Sequence, residues 1–152
     1  MITKDTNISS FIVSPHHTAV SVKDFENAKS FFINVIGMRL ENEWKNRNEK
    51  ELADVVGLQD AKAHIAILEL NGYRLELFEY LNPPATDCAI QQNSVGLTHI
   101  CFQVNNVNEV YRKLIDAGYK AISPPISLRG GKSKPFYMYG PENIVIEFIQ
   151  LF

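Results

Sequence analysis

Four residues interrupt the apolar alternation of the strand-like runs in this chain, and they form two matched pairs: His17 with His99, and Glu76 with Glu147. Each histidine heads a short run, His17-Thr18-Ala19-Val20-Ser21-Val22 and His99-Ile100-Cys101-Phe102-Gln103-Val104. Each glutamate lies in the closing run of its half, within Arg74-Leu75-Glu76-Leu77-Phe78 and Ile144-Val145-Ile146-Glu147-Phe148. Side chains of a strand point alternately to its two faces. If Val20, Val22, Leu75, Leu77, Phe102, Val104, Ile146 and Phe148 face helices, all four polar residues face the other way. Two imidazoles and two carboxylates meeting there suit a divalent cation in octahedral-type geometry. About two coordination positions would remain for water or for two adjacent oxygens of a substrate.

A single histidine at a strand start is more often structural, and a single late glutamate more often faces solvent. The metal reading therefore rests on repetition: the same residue types recur at the same places of two similar halves. His16 is the rival of His17, but its parity puts it on the helix side or at the strand's start. His64 has no counterpart in the second half and reads as structural or pocket-lining. Cys101 shares a face with His99 and reads as a small cavity residue, not a nucleophile.

The elements that must position these groups also repeat. Asp24 and Asn106 read as N-caps, followed by helical patterns (Ala28, Phe31, Phe32, Val35; Val107, Val110, Leu114, Ile115) that stop at Gly37 and Gly118. Residues 38–44 are a second strand, and 45–61 are a loop with a short helical turn. Residues 63–70 and 74–80 flank Asn71-Gly72, a two-residue hairpin signal. In the second half a short strand over 119–122 precedes a Pro- and Gly-rich loop over 123–135. Strands over 136–139 and 144–150 then flank the turn Gly140-Pro141-Glu142-Asn143. Residues 1 to about 13 form a frayed start or an edge segment. Each half thus reads β-α-β-β-β. The expectation is one α+β domain over 1–152, made of modules at about 14–81 and 97–151 joined by a linker at 82–96.

Bulk properties exclude several alternatives. The 152 residues, 45% hydrophobic and 21% charged, are ordinary for one globular domain. A net charge of −2 argues against a nucleic-acid surface or a strongly anionic membrane. No run is long and apolar enough for a membrane span, and no signal-peptide pattern stands at the start. Cys88 and Cys101 lack metal-type spacing, so a cytoplasmic location is expected.

The runs beginning at His17, Arg74, His99 and Ile144 resemble those of the vicinal oxygen chelate superfamily (glyoxalase, bleomycin resistance, extradiol dioxygenase), over residues from about 14 to 151. The resemblance implies two paired βαβββ modules in an open, cupped mixed sheet with helices on its outer face, commonly in a homodimer. It implies that His17, Glu76, His99 and Glu147 hold one divalent ion: Zn, Ni, Co, Mn or Fe. Glutamate at both carboxylate positions favours the glyoxalase I or methylmalonyl-CoA epimerase type, an isomerase or lyase moving a proton next to a carbonyl through a metal-stabilised enediolate. Glu147 is the first candidate for the base, and Glu76 the candidate for the other face. An extradiol-type iron dioxygenase and a non-catalytic antibiotic-binding protein of the same superfamily are the alternatives, and with no glutathione or coenzyme A signature neither glyoxalase I nor the epimerase is singled out. Phe78, Tyr80, Phe136 and Tyr139, with Cys101, are candidate walls for a small-molecule substrate. Arg129, with Lys132, is a candidate for holding an anionic substrate group.

Overall fold

The structure, a computed structural model, describes residues 7–152. The chain divides into two compact units between Ala85 and Thr86, a point inside the expected linker. The reading of the first six residues lies outside the described part, and Ser9–Phe11 forms a single 3-10 turn.

The first unit runs β1 (Thr18–Ser21), α1 (Phe25–Phe31), β2 (Arg39–Arg47), α2 (Lys50–Val56), β3 (Lys62–Leu70) and β4 (Tyr73–Asn82). Asp24 caps α1 by accepting from the Asn27 amide at 3.0 Å, which satisfies one otherwise orphaned N–H. The helix continues into a wider π turn over Phe32–Ile36 before Gly37 ends it at φ 87°, in the left-handed region. Asn71 and Gly72 both have positive φ, 51° and 86°, as the tight turn between β3 and β4 requires. The sheet order is β1-β4-β3-β2, with β1 parallel to β4 and the other pairs antiparallel. Leu68, Leu75, Leu77 and Ala66 are fully buried on the face that α1 covers. Each leucine there contributes about 1.5–3 kcal/mol of apolar burial.

The second unit runs β5 (Ile100–Gln103), α3 (Val107–Asp116), β6 (Ser133–Tyr139) and β7 (Val145–Leu151). Its sheet order is β5-β7-β6, with β5 parallel to β7 and β6 antiparallel to β7. Asn106 repeats the cap of Asp24, accepting from the Glu109 amide at 3.1 Å. Gln150 of β7 adds a second acceptor, to the Val107 amide at 3.0 Å, so the strand pins the start of the helix. Asn106→Ala is expected to cost about 1 kcal/mol of stability, read as a lowered denaturant midpoint. Helix α3 packs on β6 and β7, and the aromatic layer between them joins Tyr111 to Phe136 (5.3 Å between ring centres) and Phe136 to Phe148 (5.3 Å).

One element differs from expectation. The strand over 119–122 is reduced to a bridge of Ala121 with Met138, supported by Ile122 N–H to Tyr137 O at 2.8 Å and Tyr139 N–H to Lys120 O at 3.0 Å. Pro124 and Pro125 follow at once, and proline has no N–H to extend a ladder. The chain is therefore α+β, with a complete β-α-β-β-β unit followed by one whose second strand is a bridge. Among the described residues, no helix is long and apolar enough to cross a membrane.

Candidate active site

Parity governs where the chemistry-bearing residues lie. In the first unit Glu76 on β4 stands opposite Ala19 of β1 and Ile67 of β3. His17 immediately precedes β1, two residues from Ala19 and on the same face, and its Nε2 lies 3.0 Å from a Glu76 carboxylate oxygen. In the second unit Glu147 on β7 stands opposite Cys101 of β5 and Tyr137 of β6. His99 precedes β5 in the same way, with its Nε2 3.3 Å from Glu147. Each unit thus builds one imidazole–carboxylate pair on the sheet face away from its helix. The four groups are only partly exposed, with side-chain exposures of 34% and 16% in the first pair and 32% and 12% in the second.

The other ring nitrogens are also held. His17 Nδ1 lies 2.8 Å from His16 Nδ1, and His99 Nδ1 lies 3.1 Å from Thr98 Oγ1. In both units, therefore, Nε2 is the nitrogen presented to the carboxylate, and Nδ1 has a neighbour that orients the ring. An imidazole nitrogen and a carboxylate are donors that borderline divalent ions such as Zn, Co, Ni, Mn or Fe accept. Each unit taken by itself supplies two of these donors. Among the described residues, no group of three or more His, Cys, Asp or Glu side chains stands close enough together to hold an ion.

Neighbours of the second pair are chemically specific. The Tyr137 ring meets the His99 ring edge-on, 5.3 Å between centres and 83° between planes. It stands opposite Glu147 on the neighbouring strand; burial first, and then that carboxylate's charge, hold the phenol above its usual range. Cys101 stands opposite Glu147 on the neighbouring strand; although the residue is exposed as a whole, partial desolvation of its thiol first, and then that carboxylate, push it up to about 12. In the first unit, burial and the Glu76 charge raise the Tyr80 phenol, and Tyr80 stacks on Phe78 at 5.3 Å on the same face.

The remaining sequence candidates separate. Tyr139 shares the face of Tyr137 and is exposed. Phe136 is a correction: it is 1% exposed and pairs with Phe148 across the ladder, so it fills the core beneath α3 and forms no pocket wall. The residue that β6 presents beside the histidine is its neighbour Tyr137, which the choice of walls by residue type passed over. Arg129 lies in the turn beyond Ser133, four residues along β6 from Tyr137, or roughly 13 Å of strand. His64 faces the helix, with its ring 5.7 Å from Phe25 and its Nδ1 accepting from the Asn46 amide at 3.0 Å, which makes it structural.

Comparison with known proteins agrees with this architecture. Residues 16–150 match the family model described as the Glyoxalase/Bleomycin resistance protein/Dioxygenase superfamily. The chain is 25% identical over 133 residues to the mitochondrial methylmalonyl-CoA epimerase of Homo sapiens, covering 84% of this chain and 66% of that protein. It therefore spans just under two thirds of that relative's length. A glyoxalase family protein from Bacillus cereus superposes with a TM-score of 0.82 at 24% identity, over 92% of this chain and 95% of that one. The fosfomycin resistance protein FosX of Listeria monocytogenes, crystallised with Mn(II) and sulfate, superposes at 0.60 with 15% identity, over 91% and 93%.

Proposed function

Because the chain belongs to the glyoxalase/bleomycin resistance protein/dioxygenase superfamily, we propose that it is a divalent-metal-dependent isomerase or lyase of the glyoxalase I or epimerase type. His17, Glu76, His99 and Glu147 are its proposed metal-binding residues, and a homodimer is the proposed assembly. The observation that carries it is the doubled imidazole–carboxylate pair, with the same Nε2 turned to the glutamate in each unit. The epimerase relative and the Mn(II)-bound FosX structure support proton chemistry and a divalent ion respectively.

An ion held by these residues would supply Lewis acidity toward the substrate's carbonyl. The chain's own groups do the rest. A glutamate carboxylate takes the proton from the carbon next to the carbonyl and returns it to the neighbouring carbon or to the opposite face. Phe78 and Tyr80 offer an aromatic wall beside Glu76. Tyr139 continues the face of Tyr137, and Arg129 on its Gly-rich turn is the proposed contact for an anionic group.

The test loads the protein with each candidate ion and incubates it with methylmalonyl-CoA and with 2-hydroxy ketones in heavy water. Deuterium should enter the carbon next to the carbonyl, and chelator should stop it. Ligand binding without any exchange would favour a sequestering protein instead, and oxygen uptake with catechols after ferrous loading would favour a dioxygenase.

A further inference from the structure

On the sheet face that carries His17 and Glu76, β4 changes character from one end to the other. Side chains on one face of a strand recur every second residue, so Arg74, Glu76, Phe78 and Tyr80 follow one another there at intervals of about 6.6 Å. To one side of Glu76 the charges satisfy each other. Arg74 donates to Glu41 at 2.6 Å and 3.0 Å, and Arg39 pairs with Glu69 at 3.1 Å. To the other side the face is aromatic. Phe78 stands opposite Ile65 of β3, and Ile65 stands opposite Trp44 of β2, so one row across three strands has a ring at each end. Phe78 and Tyr80 stack at 5.3 Å with 10° between their planes. The Arg47 guanidinium lies 5.9 Å from the Trp44 ring, a cation–π distance.

Core packing does not account for this row. The core of the unit lies on the opposite face, where α1 covers Leu68, Leu75 and Leu77. Ile65, between the two rings, is 3% exposed and forms a floor, whereas Trp44 is left 39% exposed on the edge strand. We propose that this row is the subsite for the substrate's side group, and that Phe78, Tyr80 and Trp44 select carbonyl substrates bearing a flat aromatic ring. The proposal rests on the reading of Glu76 as part of the reaction site and names the substrate class for it. Two strand spacings, about 9.5 Å, separate the Phe78 and Trp44 backbones, which gives a ring width above Ile65. Aromatic partners settle at centroid distances of about 4.5–7 Å, so a ring seated there meets Phe78 and Trp44 together. Phe78 is one interval along β4 from Glu76, which suits a ring attached to the carbonyl or one carbon away from it.

The test compares 2-hydroxyacetophenone with its aliphatic counterpart, hydroxyacetone, on the protein as purified. Trp44 is the only tryptophan in the chain and serves as the reporter. The aryl compound should change Trp44 emission saturably, with an affinity roughly tenfold or more above that of hydroxyacetone in a competition titration. Phe78→Leu keeps apolar bulk and removes the ring; it should weaken aryl binding by roughly 2–12-fold, the range for one aromatic pair. Tyr80→Leu should act in the same direction. Unsaturable quenching, or equal affinity for the two compounds in the parent protein, overturns the aromatic subsite without recourse to any variant. Deuterium exchange in the metal-loaded protein decides the catalytic reading separately. Exchange that favours the aryl compound supports both, and exchange with no such preference overturns the substrate class alone. Saturable, aryl-selective binding with no exchange into either compound supports the subsite and overturns the isomerase reading.

Discussion

Replacing His99 or His17 by alanine is expected to abolish divalent-metal binding and turnover together. Each imidazole offers its Nε2 to the region of its glutamate, at 3.3 Å and 3.0 Å. Removing it deletes a direct donor, so affinity should fall by more than the roughly 10–100-fold typical of losing a supporting contact. The carboxylate left behind cannot compensate, because a hard oxygen donor alone does not retain borderline ions as imidazole does. His64→Ala is the control within the first unit. Its ring lies against Phe25 and accepts from the Asn46 amide, so it should cost stability and leave affinity per folded molecule unchanged. Calorimetric titration of the three variants separates these outcomes, and equal losses for all three would point to general unfolding.

The second large effect concerns stability. Phe136→Ala should destabilise the protein by about 3–5 kcal/mol, the range for emptying a buried aromatic site. Phe136 is 1% exposed and touches both Tyr111 of α3 and Phe148 of β7. The resulting cavity would loosen the contact that seats the helix on the sheet. Tyr139→Ala, three residues along the same strand and exposed, should change stability by no more than about 0.5 kcal/mol. Chemical denaturation of the two variants reads the contrast. A small effect at Phe136 would mean that the aromatic layer is not where the second unit is held together.

These two neighbours also show what the residue pattern could and could not reveal. The doubled plan was legible because its signals are local: Asp24 and Asn106 cap their helices, and Gly37 and Gly118 adopt positive φ after them. The Asn71-Gly72 turn follows from the same kind of local chemistry. The imidazole–carboxylate pairs were legible because period-two alternation carries each polar residue to one face. What was lost depended on contacts between distant segments. The strand over 119–122 forms a single bridge, because ladder length is decided by the prolines that follow and by what β6 already pairs with. The helical turn within 45–61 is α2, running Lys50–Val56. Tyr137 was missed since residue type alone made Phe136 and Tyr139 equally good walls. Only the register of β6 against β7 decides which aromatic meets His99.

The same register explains why an internal duplication need not give two equivalent glutamates. Equivalent backbone positions place Glu76 and Glu147 alike, while the residues opposite them, Ile67 and Tyr137, are free to differ.

The central claim is that the chain is a divalent-metal protein with His17, Glu76, His99 and Glu147 as its proposed ligands, and its metal stoichiometry tests that most directly. Metal-free protein titrated with Mn(II) or Zn(II) should bind one ion per chain, and Glu76→Gln with His99→Ala together should bind none. Two independent ions per chain, or no ion at any concentration that leaves the protein folded, would contradict the account.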